Sequence, residues 1–186
     1  MTTATLPERV AAALAGAPHR VVEEADGMPC IEVERDALHG VLQRLRDRAG
    51  FESNTLITAV DHHPDEPRFL VVHQLLSYEH NERIRVHTRV PCGDGPDEDP
   101  LVASCVDLWP GAAFSERECY DMFGIRFDGH EPLRRLLMPE GYGHHPLRKD
   151  FPQGGIEPDR LYREWDRKRR ANWQVGQRAG ADEVGA

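Results

Sequence analysis

Phe69-Leu-Val-Val-His-Gln-Leu-Leu76 is nearly apolar from end to end. A run of this length with little polar alternation suits a strand with neighbours on both edges and cover on both faces, so it belongs at the centre of a sheet. Its neighbours in the chain are also β-prone. Residues 55–60 form one run, and residues 84–90 form another that alternates cleanly. Ile84, Val86, Thr88 and Val90 fall on one face, Arg85, His87 and Arg89 on the other. The intervening pieces, 61–67 and 79–82, are rich in turn formers and too short for a crossover, which favours antiparallel hairpins.

Helical periodicity flanks these strands. Thr5-Leu6-Pro7 reads as an N-cap with proline in the first turn, followed by Val10, Leu14 and Ala17 at helical spacing until Pro18. Ile31 and Val33 alternate with Glu32 and Glu34 as in a half-buried strand. Asp36 is placed to cap a helix whose apolar stripe is Leu38, Val41, Leu42 and Leu45, with Gly50 ending it. A further helix is expected over residues 116–123, with Cys119, Met122 and Phe123 on one face and Arg117 paired to Asp121 at i,i+4. The expected fold is α+β, with helices packed on a mixed, mostly antiparallel sheet.

Beyond Gly124 the character changes. Residues 124–158 hold six glycines and five prolines, too many for regular structure to run through. The expected organisation is therefore an α+β domain over residues 1–123 and an extended Gly/Pro-rich C-terminal strap over 124–186 that docks on a partner protein. Residues 91–100 read as an acidic loop. From Asp159 onward, arginines and lysine alternate with Tyr162, Trp165 and Trp173, either as a solvated or docked helix or as a short basic strip.

Composition narrows the function. The chain has 186 residues, 39% hydrophobic and 30% charged, enough for one cored domain, and its net charge of −9 argues against a nucleic-acid binder. Cys30, Cys92, Cys105 and Cys119 contain no C-x-x-C pair, so they read as reduced thiols rather than a zinc knuckle or disulfide framework. The apolar run at residues 10–17 is too short for a membrane span or a signal peptide.

His62-His63 and His144-His145 invite a metal reading, but adjacent side chains diverge on either strand or helix. Glu116 and Glu118, two apart, make no acid–base dyad on a helix. Ser77 and Ser115 lack a nucleophile elbow, and neither glycine-rich phosphate motif occurs. No catalytic, cofactor-binding or metal residues are expected in this chain.

What the sequence does offer is Arg134, Arg135, Arg148, Lys149 and Asp150 set among Gly129, Pro132, Pro139, Pro146 and Pro152. Arginine forks form bidentate pairs and are favoured at interfaces, while proline lowers the entropy lost when an extended segment docks. The competing reading is that these arginines close salt bridges within their own domain.

Glu116-Arg117-Glu118, Asp121-Met122-Phe123, His130 and Arg134 stand at the spacing of a known signature: E-R-E-x-x-D, two apolar residues, six more, a His or Lys, three more, then Arg. A second block, Leu136-Leu137-Met138-Pro139 and His145-Pro-Leu-Arg-Lys-Asp150, follows it. In these blocks the chain resembles the C-subunit family of the respiratory NADH:quinone oxidoreductase, complex I. A weaker likeness runs upstream through residues 56–61, 69–76, 83–91 and 107–111. Departures occur at Glu131-Pro132, Tyr142, His144 and Phe114.

The resemblance implies a scaffold subunit of the peripheral arm of a proton-translocating enzyme. Such a protein lies on the cytoplasmic side of the cell membrane and touches the membrane only indirectly. It carries no cofactor itself, the FMN and iron–sulfur clusters residing in other subunits. Its implied partners are the hydrogenase-like D subunit at the quinone site and the neighbouring B and I iron–sulfur subunits, with no nucleic acid. The implied interface residues are Glu116, Arg117, Glu118, Asp121, His130, Arg134, Arg135, His145, Arg148, Lys149 and Asp150. Two alternatives stand beside it: the equivalent small subunit of a membrane-bound energy-converting hydrogenase or related dehydrogenase, and a small metal-dependent hydrolase using His62, His63 and His73.

Overall fold

The computed structural model describes residues 6–92, 99–156, 163–164 and 166–171. The three β-prone runs form the sheet's long strands, β3 (Ser53–Asp61), β4 (Phe69–Ser77) and β5 (Glu82–Val90), joined as antiparallel hairpins. Two short strands extend it, β1 (Arg20–Val22) and β2 (Cys30–Glu32), β2 running parallel to β5. The sheet order is β1-β2-β5-β4-β3, so β4 lies inside the sheet between β5 and β3. The mixed, mostly antiparallel α+β expectation holds.

Register explains the core. Phe69, Val71, His73 and Leu75 of β4 are opposite Val90, Thr88, Val86 and Ile84 of β5, and all eight are buried. Against them pack α1 (Glu8–Ala13), α2 (Leu38–Ala49) and α3 (Ala112–Phe123), through Val10, the Leu38–Val41–Leu42–Leu45 stripe and Phe123. The two phenyl rings Phe69 and Phe123 meet edge to face at 6.5 Å, which ties the centre of the sheet to the end of α3.

Local details depart from the sequence reading. Asp36 does not cap α2. It lies in a 3₁₀ turn, Arg35–Ala37, with its carboxylate drawn to Arg35, and α2 begins after Ala37 without a side-chain cap. Gly50 does end α2, in the left-handed conformation. The first helix stops at Ala13, short of Pro18, with Pro7 just before it rather than inside it. Thr5 lies outside the described residues, as do residues 93–98 of the acidic loop and most of the tail. Within the tail, residues 163–164 and 166–171 are helical, and Asp166 pairs with Arg170 at 2.7 Å.

Regular structure also continues beyond Gly124. Strand β6 (Leu101–Ala103) pairs in parallel with β7 (Arg126–Asp128), and Ile125 and Phe127 are buried in the core. Three residues of strand fit between Gly124 and Gly129, which a count of glycines and prolines does not register.

His73 is the one imidazole wholly enclosed on the helix-facing side. Its Nδ1 accepts from the Asn54 amide at 3.1 Å, and burial lowers its pKa to about 4. The unfolded chain takes up this proton near pH 6.5 and the folded chain only near pH 4. Between those values unfolding binds a proton, so the contribution is complete above pH 6.5 and is lost as pH falls. Urea unfolding at pH 7.5 and 4.5 should show His73→Leu sparing on the order of 2–3 kcal/mol of the acid destabilisation seen in the wild type. An unchanged pH slope in the variant would contradict this assignment.

Candidate subunit interface

Helix α3 carries two carboxylates, Glu116 and Asp121, with no exposed surface. Glu116 accepts the Ser104 hydroxyl at 2.7 Å and the Cys105 amide at 2.8 Å, fixing the turn after β6 against the helix. Burial raises its pKa, and these two donors oppose the rise. His130, also buried, approaches the Ala113 carbonyl through Nε2 at 3.2 Å.

Asp121 does not pair with Arg117. Its Oδ1 accepts from Arg135 Nη1 at 2.7 Å, and its Oδ2 receives three successive amides, those of Leu136, Leu137 and Met138, at 3.0, 2.6 and 2.8 Å. Arg117 instead donates to the carbonyls of Arg134 and Arg135 at 3.0 and 2.9 Å. One face of α3 thus satisfies both the donors and the acceptors of the backbone at 134–138, which has no ladder of its own to do so.

The end of α3 is completed by the second signature block. An α-helix leaves its last carbonyls without internal partners, and here His145 Nδ1 reaches that of Asp121 at 3.0 Å, the Leu147 amide that of Met122 at 3.1 Å, and Arg148 Nε that of Phe123. Gly124 allows this approach. Its φ is +76°, and a Cβ there would lie 2.4 Å from Arg148 Nη2 and 2.7 Å from His145 Nε2. Burial chiefly, then the Arg148 and Arg135 charges, lowers the pKa of His145 against the favourable Asp121 carbonyl.

A third attachment involves Arg68, just before β4. Asp61, at the end of β3, takes both Nε at 2.9 Å and Nη2 at 2.8 Å of this guanidinium. Asp150 takes Nη1 and Nη2 at 3.0 Å from the strap side. Asp61 also accepts the amides of His63 and Lys149 at 2.9 and 2.8 Å. Burial opposes its ionisation, yet Arg68 and the two amides hold the carboxyl well below the usual range, and Arg68 likewise lowers Asp150. The cations of Arg68 and Arg148 both lie over the Phe69 ring, at 5.0 and 5.6 Å.

The residues expected to meet a neighbour therefore divide. Glu116 and Asp121 are enclosed in this chain, and Arg117, Arg135, His145 and Arg148 bind its own backbone. His130 is buried beside α3. Glu118, Arg134, Lys149 and Asp150 remain exposed, although Asp150 also holds Arg68. Around them Phe114, Leu137 and Leu147 expose 63%, 55% and 55% of their surface. The sequence reading missed Asp61, Arg68 and Ser104. The spacing Asp61-x₆-Arg68 across a hairpin turn was the available signal for the first two. Among the described residues, His62, His63 and His73 form no three-ligand group.

Both signature blocks and every attachment between them fall in residues 31–157, which match the family model of the respiratory-chain NADH dehydrogenase 30 Kd subunit. The chain belongs to this family. The C subunit of the Brucella abortus (strain 2308) NADH-quinone oxidoreductase is 48% identical over 129 residues, covering 68% of this chain and 60% of that protein. The chain thus spans about three fifths of the length of the curated C-subunit relatives it matches. The C/D 2 subunit of the NADH-quinone oxidoreductase of Aquifex aeolicus (strain VF5) is 46% identical over 126 residues, covering 67% of this chain and 20% of that one. Among solved structures, a chain of the membrane-bound sulfane sulfur reductase, an archaeal respiratory membrane complex, superposes with TM-score 0.66 at 28% identity, over 78% of this chain and 85% of that one.

In this 30 Kd family member the Asp121 contacts predict a local effect. Asp121→Ala leaves three part-buried amides and Arg135 without their anion, and breaking such a buried pair costs about 3–5 kcal/mol. Hydrogen exchange at the amides of residues 136–138 should accelerate more than a hundredfold, while exchange in β4 changes less. Protection at 136–138 equal to the wild type would refute the anchoring role.

Proposed function

We propose that this chain is a scaffold subunit of the peripheral arm of a proton-translocating NADH:quinone oxidoreductase. In this reading it has no catalytic residue or redox cofactor of its own and supports electron transfer to quinone by packing on the quinone-site D subunit, near the B and I iron–sulfur subunits. It reaches the cell membrane on the cytoplasmic side through those partners. Among the described residues no helix is long and apolar enough to cross a membrane. Family membership supports the reading, and so does the joining of C and D in the name of the Aquifex relative.

The observation that carries it is the way the strap is held. Asp121, Arg117, His145 and Arg148 fix residues 134–148 to α3, while Leu137, Leu147 and Phe114 face outward among Glu118, Arg134 and Lys149. A segment ordered in advance loses less entropy on docking, and exposed leucines with a charged surround have the make-up of an interface centre and rim. The signature residues thus act mainly by presenting the surface, and their neighbours touch the partner.

A second reading, a small subunit of an energy-converting hydrogenase or related membrane-bound complex, is favoured by the likeness to the sulfane sulfur reductase chain. Affinity purification through a tag on this chain separates the two. Co-purification of the D subunit with a flavin-containing NADH-oxidising protein supports the first; a nickel-site large subunit or a sulfur-reducing partner supports the second. Release as a lone chain from an intact membrane extract would contradict both.

The surface makes a finer prediction. Leu137→Glu with Leu147→Glu should leave thermal unfolding of the isolated chain unchanged and weaken assembly by at least about 2 kcal/mol, some thirtyfold. Undiminished co-purification of the double variant would move the interface elsewhere.

A further inference from the structure

On the sheet face turned away from the helices, Cys30 of β2 and His87 of β5 are diagonal neighbours, because Cys30 is opposite Arg85 and Glu32 opposite His87 in the parallel pair. The connection between β1 and β2 folds over them and brings in Glu24. One ligand atom from each of Glu24, Cys30 and His87 lies within 4.8 Å of the other two. Cys30 has no exposed surface, His87 is 8% exposed, and the Glu24 side chain, at 28%, forms the open side. Arg85 holds this loop in place, its Nη2 on Asp26 at 2.9 Å and its Nη1 3.6 Å from Glu24.

We propose that Glu24, Cys30 and His87 form a binding site for a borderline-soft divalent transition metal such as zinc. A thiolate, an imidazole and a carboxylate are the donor types zinc takes, and three protein ligands leave a fourth position for water. Tetrahedral bonds of 2.0–2.3 Å would put the donors roughly 3.3–3.8 Å apart, so the loop need draw in by only about 1 Å. Binding replaces the thiol proton of Cys30, which passes to solvent, and His87 coordinates as the neutral ring.

Charge around the site accommodates the ion. Glu24 and the Cys30 thiolate would offset the two charges of the ion, while Asp26 stays paired with Arg85 and Glu32 with Arg20 and Arg89 at 3.0 and 3.6 Å. Arg85 keeps Asp26 as its partner when Glu24 turns to the metal. The site lies across the sheet from the packed helices, so an ion there would pin the β1–β2 connection without disturbing the strap.

Cobalt(II) titration of the full, untagged chain under reducing conditions tests the site. Wild type should bind one equivalent with a thiolate-to-cobalt charge-transfer absorption that zinc abolishes by displacement. Cys30→Ser should lose that absorption and at least roughly a hundredfold in affinity, since loss of a mere outer partner already costs about ten- to hundredfold. Glu24→Gln, on the exposed side of the loop, should keep the absorption and bind at least about tenfold more weakly, with an unchanged circular dichroism spectrum. Absence of the charge-transfer band in wild type overturns the proposal, as does equal cobalt affinity in wild type and Glu24→Gln. Cys92 lies 4.0 Å from Arg68, near the His62-His63 turn, and uptake there would leave the band and the affinity unchanged in Cys30→Ser, which likewise overturns the proposal.

Discussion

A helix that ends inside a protein must have its last carbonyls met by donors, and the C-terminal half of this chain is arranged around that requirement at α3. Gly124 turns the backbone left-handed, and the chain then travels some twenty residues before His145, Leu147 and Arg148 return to the carbonyls of Asp121, Met122 and Phe123. The Asp121 side chain meets the same excursion midway, at the amides of 136–138. A segment whose own backbone bonds are mostly isolated turns is thereby given partners at both ends of its path.

The buried ions follow from the same arrangement. Removing a carboxylate from water is expensive, and well-packed apolar residues of similar size often stabilise a fold as much or more. Asp121, Glu116 and the Asp61–Arg68–Asp150 group therefore contribute position more than net stability. Each binds a particular backbone stretch or guanidinium, so one register of the strap is satisfied and its neighbours leave unpaired charge. Arg68 is the clearest case. It is held by a sheet residue on one side and a strap residue on the other, and its cation also lies over Phe69, the ring that meets Phe123.

This arrangement changes what the two signature blocks of the 30 Kd family are seen to do. Their charges suggested ions awaiting a neighbour, yet in the structure they largely answer one another. Left exposed are Leu137, Leu147 and Phe114, together with Glu118, Arg134 and Lys149, the surface that the proposed role assigns to a partner. The reading of the arginines as closing bridges within their own domain accounts for Arg135 with Asp121, and Arg117 and Arg148 similarly end on carbonyls of this chain.

Side-chain alternation and helical spacing are properties of near neighbours, and so the three long strands, their hairpins, the α2 stripe and the stops at Gly50 and Gly124 were legible in the sequence alone. So was the likeness carried by the two blocks. Short strands escaped it, since β1, β6 and β7 are three residues each and exist only because another strand supplies their bonds. Partner choice escaped it too. Arg117 and Asp121 sit one turn apart, and the spacing rule pairs them, but carbonyls and amides from 134–138 compete for both and win by geometry. Cys30 and His87, far apart in the chain, become neighbours through a parallel strand pairing that no local pattern encodes. Local periodicity therefore set the elements, while tertiary structure decided where each charge went, because a buried charge takes whichever partner the fold brings within hydrogen-bond distance.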